Sequence, residues 1–326
     1  MTLDRVRQID VEADLNVWLD YARAKQLHGA VISYLTVKED RFYMVQRKED
    51  ALSFVTARGW EDLSEILNGY EALNFPITEA LVAQYIRNEA TTRDFAAYYR
   101  LYQKYGVDYG IAEILNGTMS AGEYQEKVSM AQNGSFDERI TVVNLMLEYL
   151  QKELRRYHRE DAVVTRLHDA LRQFKGLDQS LTEYMGTRQK SLEIKIQNAL
   201  IGPEASRQEK WAWDRLDELA LSCREQHCVD KGAEYDHMKL LFQKDASRRA
   251  ERIETVQQEL QNAFRFAEDC FGDGQEMILL VSSLTKYPDA LQFLRWHGCN
   301  LYLKYAQALM YTQREAALQK AARTLL

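Results

Sequence analysis

The chain has 326 residues, 46% of them hydrophobic, which is enough to bury the cores of two or three domains. Lys plus Arg number 42 against 49 Asp plus Glu, and the resulting net charge of -7 excludes a general nucleic-acid or anionic-membrane binder, because both need surplus cations to displace counterions. No stretch approaches bilayer-spanning length, MTLDRVRQIDVEADL lacks the apolar run of a leader, and 4 scattered cysteines read as reduced thiols, so a cytoplasmic protein is expected.

With only 3 prolines and 15 glycines, long uninterrupted helices and an all-α fold are expected. At the start, Val6, Ile9 and Val11 of RVRQIDV suggest a short strand with no obvious partner. A helix is predicted over 11–26, capped by Asp10, with Leu15, Trp18, Leu19 and Ala22 on one face. A second covers 29–37, and a polar loop follows to Ser53. In FVTARGWEDLSEIL, from Phe54 to Leu67, the apolar side chains of Trp60, Leu63 and Leu67 continue to Tyr70 at three- and four-residue steps. Thr56 is the natural N-cap of that helix, which runs to about Leu73.

Asn74 to Pro76 turn the chain, Thr78 begins the helix TEALVAQYI, and Thr91 or Thr92 caps TRDFAAYYRLYQKY, which Gly106 stops. The aromatics Phe95, Tyr98, Tyr99, Tyr102 and Tyr105 span more than one helix face, which favours burial between domains over a stacking platform. Residues 106–135, richer in Gly, Ser and Asn, read as short helices joined by turns at a domain boundary. Beyond them Ile140, Val143, Leu147, Leu150, Leu154 and Tyr157 form a strict stripe, which Val164, Leu167, Leu171 and Phe174 resume out of phase. Partners for this long helix are expected over 181–200, 204–227 and 245–271, with last helices over 275–285 and 289–325. No fixed period recurs, so a bundle is favoured over a solenoid.

Motifs that would carry chemistry are sparse. GxxxxGK[ST], HExxH, GxSxG and paired CxxC are all absent from the sequence. FGDGQE, from Phe271 to Glu276, reads as a turn capped by Asp273 rather than a phosphate loop. Cys223 and His227 stand at i and i+4, with Cys228 and His237 nearby, but zinc wants four ligands in a tighter grammar. Thiol packing is the default there, and no metal site is assigned. KELRRYHRE, from Lys152 to Glu160, reads as a solvated helix face, with a basic dock for an acidic partner as the alternative.

Arg58 stands out because it falls in the first turn of its helix, where the macrodipole makes a cation unfavourable by roughly 0.3 to 1 kcal/mol. Free backbone N–H groups there collect anions, and a guanidinium fork beside them suits phosphate. Two readings follow: half of an anion site, or an arginine that reaches solvent or pairs with Glu61 or Asp62.

LDRVRQIDVEADLNVWLDYARAKQLHGAVISYL followed by FVTARGWEDLSEIL resembles the end of the nucleotide-binding core and the helical lid of MoxR-like AAA+ ATPases, over about residues 3–105. Thr56, Arg58 and Trp60 match the family's Ser/Thr-x-Arg-x-Trp-like opening of a lid helix, with Ala57 where the family often has proline. The resemblance implies that Arg58 is the sensor 2 arginine, touching the γ-phosphate of ATP, and that Arg5 acts in trans near a subunit boundary. It also implies a division into the last core strand at 1–10, a lid at 11–105, a linker at 106–135 and a C-terminal helical bundle at 136–326. A complete protein of this kind would bind ATP and Mg, form a hexamer and remodel a partner, often one with a von Willebrand factor A domain. Walker A, Walker B and sensor 1 are missing, so hydrolysis is not expected from this chain alone; the core is either truncated or on another polypeptide. The alternative is a non-enzymatic helical scaffold that keeps the lid fold and binds a partner through its C-terminal bundle.

Overall fold

A computed structural model describes residues 12–48 and 51–310. The expected strand RVRQIDV, the cap Asp10 and Arg5 lie outside the described residues, as do residues from 311 on. Among the described residues the fold is dominated by helices, as composition predicts, with one two-stranded antiparallel sheet. No helix among the described residues is long and apolar enough to cross a membrane.

Contacts divide the chain into two units, one holding residues up to Tyr149 together with those from Leu260 on, the other Leu150–Glu259. In the first unit, helix α1 spans Leu15–Lys25 and is capped by Asp14, whose carboxylate accepts from Val17 N at 3.1 Å. The helix therefore starts later than the periodicity suggested, because the capping carboxylate is Asp14. Helix α2, Gly29–Val37, matches its prediction.

The polar loop expected up to Ser53 is instead largely a hairpin, β1 (Met44–Lys48) paired with β2 (Ala51–Val55) in the register Met44↔Val55. Its strands are five residues long, and the charged run from Arg47 to Asp50 hides the period-two pattern. Helix α3, Ala57–Ala72, follows at once with Thr56 as its cap, as predicted. Helix α4 is only Glu79–Val82, not the whole of TEALVAQYI, because the backbone then turns out to pair with the hairpin. Phe54 N donates to Arg87 O at 2.9 Å, and Asn88 Nδ2 donates to Ser53 Oγ at 3.0 Å.

The same Asn88, rather than Thr91 or Thr92, caps α5, Glu89–Tyr109, by accepting from Thr91 N at 2.9 Å. Gly106 lies inside this helix, and Gly110 ends it at a φ of 61°, a conformation that costs glycine little. Short helices α6 (Ile111–Asn116) and α7 (Ala121–Asn133) follow, as expected for 106–135. Both lie in the first unit, where Ile114, Leu115, Val128 and Ala131 are buried. The core of this unit gathers Trp18, Leu35, Trp60, Leu67, Ile86 and Phe95 from α1 through α5. Phe95, Tyr98, Tyr99 and Tyr102 are buried in that one cluster.

Helix α8, Phe136–Gly176, is continuous for 41 residues and enters the second unit at Leu150. There it is joined by α9 (Leu181–Gln197), α10 (Pro203–Glu225) and α11 (Lys231–Phe271). Helix α11 begins well before the predicted Asp245, because Tyr235, Met238 and Phe242 already pack on the second core with Leu167, Phe174 and Leu219. Charged pairs brace these helices: Arg215 with Asp245 at 2.8 Å, Arg249 with Asp161 at 2.5 Å, and Arg252 with Glu153 at 2.9 Å.

Back in the first unit, α12 (Gln275–Lys286) starts at Gly274 without a side-chain cap, so the expected capping role of Asp273 is not realised. The single helix expected over 289–325 is broken among the described residues. Helix α13 covers Pro288–His297 and stops at Gly298, whose φ of 72° ends the helical path before residues 300–310 resume it.

Candidate functional site

Helix α3 presents its first turn through local chemistry. Thr56 Oγ1 accepts from Gly59 N at 3.1 Å, satisfying one of the orphan donors of the helix start. Two residues after the cap, the Arg58 side chain is 88% exposed and lies 3.6 Å from Asp62, one turn on. Trp60, on the opposite side of the turn, is fully buried, and its indole N–H donates to Phe42 O at 3.1 Å. The anchor and the exposed arginine thus share one turn, so the packing of Trp60 fixes where Arg58 is offered.

The solvent-and-carboxylate alternative for Arg58 is geometrically present, with Asp62 as its partner and not Glu61. Glu61 is taken by α1: Tyr21 donates to it at 2.9 Å and Lys25 pairs with it closely. The Lys25 hydrogen bond, more than Tyr21 or the charge of Arg58, holds the Glu61 carboxyl below the usual range.

Gly59 is a position that sequence reasoning overlooked. A Cβ there would lie 2.7 Å from the backbone carbonyl of Tyr85, too close for any side chain unless the helix start moves away. Only the close approach of the 83–86 turn, a tertiary feature, reveals this.

The far end of α3 enters a buried polar cluster that the sequence also did not disclose. His28 is 3% exposed, and its Nδ1 accepts from Ala30 N at 3.0 Å, which leaves the ring proton on Nε2. Nε2 stands 3.0 Å from Glu71 Oε1, although its N–H is not aligned for a hydrogen bond. Tyr99 OH donates to the same carboxylate oxygen at 2.5 Å, Gln103 donates to Tyr99 OH at 2.6 Å, and Tyr102 OH donates to Glu148 at 2.6 Å. Gly29 admits this pair, since a Cβ on it would run into both Glu148 Oε2 and Tyr102 OH. The only advance signal was the presence of tyrosine hydroxyls on a mostly buried helix face, since such groups need partners.

Burial alone would raise the Glu71 carboxyl, but His28, with help from Tyr99 and Gln103, more than offsets it, so the net direction is down. Its stabilisation is therefore fully present above the ordinary glutamate value of 4.5 and is lost as pH falls below it. Thermal melts between about pH 5 and pH 3 should show the wild type losing stability more steeply than Glu71→Gln. Parallel curves would remove this role from Glu71.

Cys223 is buried in the second core, donates to Glu234 O at 3.6 Å, and burial pushes its thiol up to about 12. His237 instead meets Ser222 Oγ at 2.8 Å, and His227 sits at a φ of 51° past the end of α10. Among the described residues no group of three or more His, Cys, Asp and Glu side chains is placed to hold a metal ion. In KELRRYHRE, Tyr157 is buried, and Arg156 lies 3.5 Å from Glu160.

No family model, curated protein or solved structure matches the chain.

Proposed function

We propose that residues 11–105 are the lid of a MoxR-type AAA+ ATPase, and that Arg58 is its sensor 2 arginine. The observation that carries this is the presentation of Arg58. Its guanidinium is 88% exposed on a Thr56-capped helix start, lies 3.6 Å from Asp62, and is anchored through Trp60 two residues on. A pairing that long is easily exchanged for a phosphate oxygen, since charge-assisted hydrogen bonds close to about 2.7 to 2.9 Å.

ATP and Mg would be held by a P-loop core, which this sequence does not include. Arg58 would then stabilise charge on the transferred phosphoryl group, and its release after hydrolysis would turn α3 as a rod. Glu71, at the other end of that rod, accepts from Tyr99 and lies 3.0 Å from His28 Nε2, which would give the turn a route to α5 and to the start of α2. Arg5 would act in trans in a hexameric ring, and the long helices would meet a remodelled partner, for which a von Willebrand factor A domain is the proposed class. With a P-loop core supplied, a fluorescent ATP analogue should bind more weakly when Arg58 is alanine. Equal affinity would count against the assignment.

A second reading, a non-enzymatic helical scaffold, rests on a different observation. Asp62 already gives Arg58 a carboxylate, so the helix start needs no further anion. Nucleotide binding indifferent to Arg58 is the result that favours it.

A further inference from the structure

A cleft of about 330 Å³ opens in the second unit where α8, α9 and α10 meet. That is the lower end of the size range of small-molecule sites, about 300 to 1,000 Å³. Its charges are unevenly matched. Arg166 Nε lies 3.2 Å from Glu209 Oε1, and Arg188 Nη2 lies 3.6 Å from Glu209 Oε2, so one carboxylate serves two guanidiniums. Lys195 adds a third cation to the lining, while the other acid there, Asp169, is 65% exposed and adjoins His168 at 3.4 Å. Within a chain of net charge -7, this cleft is therefore locally cationic.

The two arginines are not equally committed. Arg166 also donates to Gln208 at 2.6 Å, a short bond that fixes its fork. Arg188 is held more loosely: it donates to Gln173 at 3.3 Å, lies 3.6 Å from Glu209 and meets the Tyr184 hydroxyl, and its side chain is just 22% exposed. A partly desolvated guanidinium with no bidentate carboxylate among the described residues is suited to a planar carboxylate or a phosphate. Apolar walls stand beside it. Trp213 and Tyr184 line the cleft, and the Tyr184 hydroxyl donates to Ala170 O at 2.8 Å while also meeting Arg188.

We infer that this cleft binds a small aromatic anion, a carboxylate or phosphate monoester whose charge takes the fork of Arg188 and whose ring lies against Trp213. The site stands on the geometry of the second unit alone and does not depend on the ATPase reading.

Isothermal titration of the full chain at low salt, with phenyl phosphate and benzoate as probes, tests it. Saturable binding is expected for at least one of them, weakened about tenfold or more in Arg188→Gln and in Arg188→Lys, which keeps the charge but loses the fork. Inorganic phosphate and neutral benzamide, each carrying half of the recognition, should bind at least about tenfold more weakly than the better probe. Tighter binding of phenyl phosphate assigns the site to phosphate monoesters, and tighter binding of benzoate assigns it to carboxylates. Circular dichroism melts show whether each variant is folded, and if the glutamine variant is not, the lysine variant decides. The proposal is overturned if no probe saturates, if inorganic phosphate or benzamide binds as well as the aromatic anions, or if a folded Arg188 variant keeps wild-type affinity.

Discussion

Trp60→Ala is expected to destabilise the first unit by about 3 to 5 kcal/mol, the usual cost of truncating a buried tryptophan. Domains as a whole are stable by only about 5 to 15 kcal/mol, so much of the margin disappears. Trp60 is fully buried, with ring centroids 5.5 Å from Tyr34 and 5.3 Å from Phe95, and alanine would leave a cavity where three aromatic rings now meet. It would also leave Phe42 O without the indole N–H that satisfies it. Trp60→Phe keeps most of the ring contact and should lose far less. Urea titration followed by near-ultraviolet circular dichroism measures both, and a loss under about 1 kcal/mol for the alanine variant would mean that the cavity collapses freely.

The second large effect belongs to the other unit. Arg252 lies 2.9 Å from Glu153 and 3.5 Å from Glu160, and all three side chains are mostly buried, at 14%, 14% and 21% exposure. Removing the arginine alone takes its partner from the buried Glu153 carboxylate and leaves Glu160 to Arg156 at 3.5 Å, and breaking such a buried pair costs about 3 to 5 kcal/mol. Arg252→Met should therefore be strongly destabilising. Replacing Glu153 and Glu160 by apolar residues in the same chain should recover most of the loss, because no stranded charge remains and buried ion pairs contribute little beyond well-packed apolar groups. Denaturant midpoints of the single and triple variants decide this. A triple variant no more stable than the single one would show that the pairs themselves, and not the stranded charge, set the cost.

What was legible in advance follows from how local each determinant is. Helix α3 could be read because its cap, Thr56, and its stripe of Trp60, Leu63 and Leu67 all fall within twelve residues, and each retains its expected role. The hairpin could not, because Val45 and Phe54 meet only across the strand pair, and the charges from Arg47 to Asp50 dominate the pattern in between. The start of α5 was misplaced for a similar reason. Asn88 caps the helix with its oxygen while its nitrogen reaches back to Ser53, a contact no window around Asn88 contains.

The candidate site divides in the same way. The unusual place of Arg58 in a first turn is a local fact and was visible. The tolerance for only glycine at position 59 depends on Tyr85 O, and the cluster below depends on His28, Glu71, Tyr99, Tyr102 and Glu148, drawn from three helices and the residue before a fourth. The proposed lid reading would give Arg58 a ligand that neither periodicity nor packing could name.

The most direct test of that assignment is ATP turnover by the chain joined to a MoxR-type P-loop core, compared with the same assembly carrying Arg58→Ala. Arg58 is almost fully exposed, so the substitution should leave the melting temperature unchanged, and any loss can be ascribed to chemistry. The sensor role predicts a fall in turnover of about a hundredfold, the scale on which a positioned donor to developing charge acts. Turnover equal to that of the unsubstituted assembly would contradict it.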